Sequence, residues 1–124
     1  MAAAIDGTSA FIGNLGDSRA YLLRDDDIRM VTADHSGEYQ SSITRFVGDP
    51  RGVQPDVFVE ALEPGDRLLL CSDGLTDMLE NERIAAILAK EETLATACKQ
   101  LIAEANEAGG RDNITVVMAR FDAA

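Results

Sequence analysis

Three aspartates share an unusual context. Asp17 follows Gly16, Asp73 precedes Gly74, and Asp112 follows Gly109-Gly110-Arg111. Each stands at the end of an apolar segment or beside a glycine that lets the backbone turn sharply. Carboxylates placed at the rim of a sheet in this way can converge on one point. When they do, they repel one another unless a proton or a cation lies between them. Asp77 stands four residues after Asp73. A helix starting just after Gly74 puts both on one side of its first turn. An all-oxygen set of this kind favours Mg²⁺, Mn²⁺ or Ca²⁺ over zinc or copper. The plainer reading is structural, because Asp before Gly is a common turn pair and Asp at a helix start is a common cap.

The elements that must position these groups are read from hydrophobic period and turn residues. Segments 8–14, 18–24 and 28–32 predict three strands. The turn residues Asn14-Leu15-Gly16-Asp17 and Asp25-Asp26-Asp27 join them as an antiparallel meander. Residues 33–56 predict a long surface loop with one apolar island at Ile43–Val47. Val57–Leu62 predicts a strand, and Glu63-Pro64-Gly65-Asp66 suits a type II turn. The apolar run Leu68-Leu69-Leu70 in segment 67–72 predicts a central strand covered on both faces. A short helix follows with Ile84, Ile87 and Leu88 on one face. A second carries Leu94, Ala97, Cys98, Leu101, Ile102 and Ala105 at helical spacing and closes at Gly109-Gly110. Residues 113–121 predict a last strand. Tyr21 and Phe11 are expected in the core. Strands, then helices, then a strand argue for an α+β fold: antiparallel β-sheets with helices packed on one face.

The length of 124 residues suits a single domain over 1–124 that buries a real core without staples. Acidic residues outnumber basic ones 22 to 11, a formal net charge of −11. So acidic a surface repels phosphate backbones and anionic lipid, which disfavours nucleic acid and membrane as partners and suits divalent cations. Cys71 and Cys98 show no disulfide framework spacing and read as small buried hydrophobes in a reducing compartment. The start Met1–Asp6 lacks a basic, apolar leader pattern, and no run approaches the length of a bilayer span, so a cytoplasmic location is expected.

Read together, the segments form an ordered set. They are Gly16-Asp17-Ser18-Arg19-Ala20-Tyr21, Asp34-His35-Ser36, Ile43-Thr44-Arg45-Phe46-Val47-Gly48, Gly65-Asp66 leading to Cys71-Ser72-Asp73-Gly74-Leu75-Thr76-Asp77, and Gly110-Arg111-Asp112-Asn113-Ile114-Thr115. This set resembles the metal-dependent protein serine/threonine phosphatases of the 2C type, from about Thr8 to Phe121. The resemblance implies a partial version of that family's α-β-β-α sandwich. It implies Asp73 and Asp112 as ligands of two core metals, Mn²⁺ or Mg²⁺, with Gly74 in the cofactor-binding set. Asp17 and Asp77, with Asp73, are implied as the acidic set of a weaker third site. It implies hydrolysis of phosphoserine and phosphothreonine without a covalent intermediate, by water that the metals acidify.

The family's N-terminal half carries another acidic ligand, a metal-bridging Asp-Gly, a phosphate-binding Arg and a His that protonates the leaving group. No counterpart motif occurs here, so the chain is expected to be roughly the C-terminal half of the catalytic domain. The family's flap beside the active site is expected to be deleted between Ser36 and Ile43. His35, the only histidine, does not fall on the family's acid motif and reads as a loop residue. Arg19, Arg45 and Arg111 carry guanidinium forks suited to phosphate, with salt bridges inside an acidic chain as the plainer assignment. The expected partners are a phosphoprotein substrate or a complementing N-terminal half. The alternative function is a non-catalytic metal- or phosphopeptide-binding or partner-pairing module. Half of a two-sheet sandwich leaves open edges and an uncovered apolar face, which invites a homodimer.

Overall fold

The computed structural model describes residues 1–34, 48, 50, 52, 54–91 and 93–122. Within them the chain runs β1 (Ala2–Asp6), β2 (Ser9–Asn14), β3 (Arg19–Arg24), β4 (Asp27–Met30), β5 (Asp56–Ala61), β6 (Arg67–Cys71), α1 (Asp73–Thr76), α2 (Asn81–Lys90), α3 (Leu94–Glu107) and β7 (Val116–Arg120). The strands form a three-stranded sheet, β1-β2-β5, and a four-stranded sheet, β4-β3-β6-β7, with antiparallel pairing throughout. The antiparallel α+β architecture expected from the sequence is what the structure has.

The expected meander is only half present. β3 and β4 form a hairpin, with Arg24 opposite Asp27. β2 and β3 do not pair; they lie in different sheets. The reason is the distribution of apolar groups. Ala20, Tyr21, Leu22 and Leu23 of β3 are all buried, so this strand needs a layer on each face. Ala20 and Leu22 meet Ala10 and Ile12 of β2, together with Val31, Leu62 and Leu68, in a core between the two sheets. Tyr21 and Leu23, with Leu69 and Cys71 of β6, face the helices. Segment 14–17 therefore carries the chain from one layer to the other.

The helices cover one face of the four-stranded sheet, as expected. α2 buries Ile84, Ile87 and Leu88, and α3 buries Ala97, Leu101 and Ala105, against Tyr21, Leu69 and Leu75. Thr93 caps α3, its hydroxyl accepting the Thr96 amide at 3.1 Å. β6 is covered on both faces: Leu68 lies in the inter-sheet core and Leu69 under the helices. The turn before it closes through Asp66 N–H to the Glu63 carbonyl at 3.0 Å, with Gly65 at φ 91°, the left-handed position that a type II turn requires. Buried Asp66 locks this turn to β3, accepting from the Glu63 amide at 2.8 Å and from the Arg24 guanidinium at 2.8 and 3.1 Å.

The opposite face of the three-stranded sheet is open. Phe11 pairs across to Val59 and Gly13 to Val57, so these residues share that face. Phe11 is 41% exposed, Val57 65% and Val59 61%. Phe11 is thus not a core residue; strand alternation points it away from Ala10 and Ile12. β1 was not foreseen. It pairs with β2 across a two-residue turn, with Asp6 opposite Ser9. Both cysteines are free; Cys71 is buried and Cys98 half-buried. No helix among the described residues is long and apolar enough to cross a membrane. The apolar island Ile43–Val47, His35, Arg45 and the expected flap deletion between Ser36 and Ile43 lie outside the described residues.

Candidate active site

The three sequence-distant aspartates are carried by three different connections at one rim. Asp17 lies on the crossover between β2 and β3. Asp73 opens α1, immediately after β6. Asp112 lies on the loop between α3 and β7. Burial pushes the half-buried Asp73 carboxyl above the usual carboxylate range, and the charges of Asp17 and then Asp112 push it further. The Asp17 carboxyl also shares a hydrogen bond with it. The Gly74 amide, donating to Asp73, works the other way. Asp77 is exposed at the end of α1, and its amide donates to the Asp73 carbonyl at 2.8 Å.

The 112 loop is docked onto the Asp73 turn by two devices; the sequence singled out neither Ser72 nor a packing role for Gly74. Ser72 is the first. Its hydroxyl donates to the Asn113 carbonyl at 3.1 Å and accepts from the Thr115 amide at 3.0 Å, while its own amide donates to the Thr115 carbonyl at 3.0 Å. Gly74 is the second. A Cβ there would lie 2.1 Å from the Asn113 carbonyl oxygen. Only a hydrogen at this position lets the two backbones approach so closely. The Asp73-Gly74 pair is therefore a packing requirement and not only a turn signal.

Asn14 serves the third segment. It is fully buried, and its amide donates to the Ala33 carbonyl at 3.1 Å and, at the outer limit of hydrogen bonding, to the Gly16 carbonyl at 3.5 Å. Its Oδ1 has no partner among the described residues. An asparagine ending a strand just before Leu-Gly-Asp was the available signal. Arg19 takes the plainer assignment: it forks onto Asp34 at 2.9 and 3.1 Å and donates to the Tyr21 hydroxyl at 3.2 Å. Burial pushes the Cys71 thiol up to about 12, which disfavours the thiolate form.

The donor chemistry at this rim suits a hard cation: oxygen groups whose mutual repulsion only a proton or positive charge relieves. Yet among the described residues no three His, Cys, Asp or Glu side chains form a group that could hold one metal ion. The two findings differ in range. Coulomb repulsion acts over several ångströms, whereas ligation brings every oxygen to about 2.0–2.6 Å from one point. Asp17, Asp73 and Asp112 are neighbours, not a closed ligand set. Beside them a groove of about 320 Å³ is lined by Met1, Ser18, Leu70, Ser72, Thr115 and Val117.

Comparisons with known proteins bear on the fold and the family. Residues 1–114 match the family model described as protein phosphatase 2C. The serine/threonine phosphatase stp of Listeria innocua is 37% identical over 136 residues, covering 95% of this chain and 54% of that protein. The protein phosphatase PhpP of Streptococcus pneumoniae is 36% identical, covering 93% of this chain and 54% of its own length. Among solved structures, Stp1 from Staphylococcus aureus superposes with a TM-score of 0.91 at 32% identity, over 98% of this chain and 55% of that one. The Mycobacterium tuberculosis phosphatase PstP/Ppp gives a TM-score of 0.90 at 31% identity, over 98% and 58%. The chain thus spans about half the length of the relatives it matches. On a family model that matches most of its residues, the chain belongs to the protein phosphatase 2C family.

Proposed function

We propose that this chain is a single domain that contributes one side of a metal-dependent serine/threonine protein phosphatase site. The observation that carries the reading is the Asp73 carboxyl, raised above its ordinary range first by burial and then by the carboxylates of two other segments of the chain. Asp73 and Asp112 would hold the core cations, Mn²⁺ or Mg²⁺, and Asp17 and Asp77 an outer one. Gly74 contributes its amide to the Asp73 carboxylate and the close approach that keeps the 112 loop against it. Bound cations would acidify water and neutralise charge on the phosphoryl oxygens of a phosphoserine or phosphothreonine substrate. The chain's own residues orient the carboxylates through Ser72, Gly74 and Asn14.

Full activity requires the portion of the domain that the relatives have beyond the matched region. The exposed face of Phe11, Val57 and Val59 supports a complementing polypeptide as the partner that covers it. A cytoplasmic setting suits the two free cysteines. The test is Mn²⁺-dependent hydrolysis of a phosphothreonine peptide by wild type and Asp73→Ala. Each is assayed alone and with the complementary portion of a relative added in trans. Activity that appears on mixing and is lost in Asp73→Ala supports the proposal. Equal rates for the two proteins refute it.

The absence of a closed three-ligand group among the described residues favours a second reading. In it the chain is a non-catalytic module that binds metal or phosphopeptide, or pairs with a partner or with itself. Calorimetry that shows Mn²⁺ or phosphopeptide binding without turnover, even with the complementary portion present, supports this one. Light scattering distinguishes a homodimer.

A further inference from the structure

The described arginines are nearly all committed. Among the described residues, Arg19, Arg24, Arg29, Arg83 and Arg120 are each bonded to a carboxylate, and Arg67 donates to the Leu88 carbonyl. Arg111 is exposed and makes no hydrogen bond or ion pair with any described residue. In a chain of net charge −11 an uncommitted guanidinium is unexpected, because carboxylates are in excess. The neighbouring carboxylate is already used: Asp112 accepts from the Asn113 amide at 2.7 Å and acts on Asp73.

Arg111 also stands on a fixed base. The Gly110 amide donates to the Ala105 carbonyl at 3.1 Å, which ties one end of the loop to α3. The Ser72 hydroxyl holds the other end at Asn113. The stem of Arg111 lies along Gly109, where a Cβ would come within 3.9 Å of its Cγ and Nε and 3.3 Å of the Met78 sulfur. A phosphate monoester carries close to two negative charges near neutral pH. Approaching a rim of three aspartates, it is favoured by positive charge beyond that of bound cations, and a guanidinium fork matches its oxygens.

We propose that Arg111 is a substrate-binding residue that takes the phosphoryl oxygens of a phosphorylated serine or threonine side chain at the rim of Asp17, Asp73 and Asp112. The proposal rests on the phosphatase reading above and adds a residue to it. The test uses the whole chain with millimolar Mn²⁺ and fluorescence anisotropy of a labelled phosphothreonine peptide and its unphosphorylated twin. Wild type is compared with Arg111→Ala, Arg111→Lys and Arg83→Ala, the last a remote control whose partner is Glu104. The expected result is roughly 10- to 100-fold weaker phosphopeptide binding by Arg111→Ala. Arg111→Lys should recover part of it, as a point charge without the fork, and Arg83→Ala should stay near wild type. Arg111→Ala at an exposed position should keep the wild-type urea midpoint, which separates lost binding from lost fold. Equal affinity of wild type and Arg111→Ala overturns the assignment and leaves the phosphatase reading standing. An equal loss in Arg83→Ala also overturns it, since general charge then suffices. Failure of wild type to discriminate the two peptides also overturns the assignment, while the phosphatase reading is decided separately by hydrolysis after mixing with the complementary portion.

Discussion

Gly74→Ala is the sharpest probe of how the candidate site is assembled. The added methyl would lie 2.1 Å from the Asn113 carbonyl oxygen and 2.9 Å from the carbonyl carbon, both backbone atoms. A normal contact is more than about 3 Å, so the α1 turn and the 112 loop must separate by about 1 Å. Neither side yields freely: Gly74 is inside α1, and Asn113 is held by Ser72. Overpacking of this kind costs about 1–3 kcal/mol. Stretching the two Ser72 side-chain hydrogen bonds costs about 1 kcal/mol more. The expected destabilisation is therefore about 2–4 kcal/mol, which lowers the urea midpoint by about 1–2 M for a typical slope. The control is Gly13→Ala. A Cβ at Gly13 meets nothing within 4 Å, and alanine in a strand interior is favoured over glycine by roughly 0.5–1 kcal/mol. Urea unfolding followed by circular dichroism gives the midpoints. Hydrogen exchange of the Thr115 amide, which donates to Ser72, reports the loop separately. Gly74→Ala with a wild-type midpoint and unchanged Thr115 exchange would show that the close approach does not hold these segments together.

Three further outcomes are expected. Leu88→Ala, in the core between α2 and the four-stranded sheet, should cost about 2–5 kcal/mol in urea unfolding. Phe11→Ser with Val59→Thr, on the open face, should leave the urea midpoint nearly unchanged and reduce binding of a hydrophobic dye. Stability should fall on acidification: hydrogen bonding to Arg24 holds Asp66 below its usual range, and hydrogen bonding to Arg29 does the same for Glu60. Their contribution is complete above the unfolded-state values near 4 and is lost as pH drops through the lower folded values. Urea midpoints measured from pH ~6 to pH ~3 should therefore decline, and Asp66→Asn should flatten that decline.

Much of this protein is determined locally. The helical spacing of Ile84, Ile87 and Leu88, and of Ala97, Leu101 and Ala105, places those residues under α2 and α3 because period alone decides which side of a helix is apolar. The Pro64-Gly65 turn and the Asp25-Asp26 hairpin follow from backbone preferences of two residues each. β1 was in principle also readable, from Asp6-Gly7 ahead of an apolar segment, but three alanines carry little strand preference without a partner.

What no local pattern decides is which strand lies beside which. β2 and β3 are separated by four residues that would suit a hairpin, yet they occupy different sheets. That choice depends on covering both faces of Tyr21-Leu22 at once. The site has the same character. The sequence presents Asp17, Asp73 and Asp112 as residues of one chemical type, and their ordered motifs point to one family. Their mutual approach, and the lack of a partner for Arg111 among the described residues where Arg19 is captured by Asp34, arise only when connections from both sheets and α3 meet at one rim. Electrostatic energy depends on distance through space, and tertiary packing sets that distance.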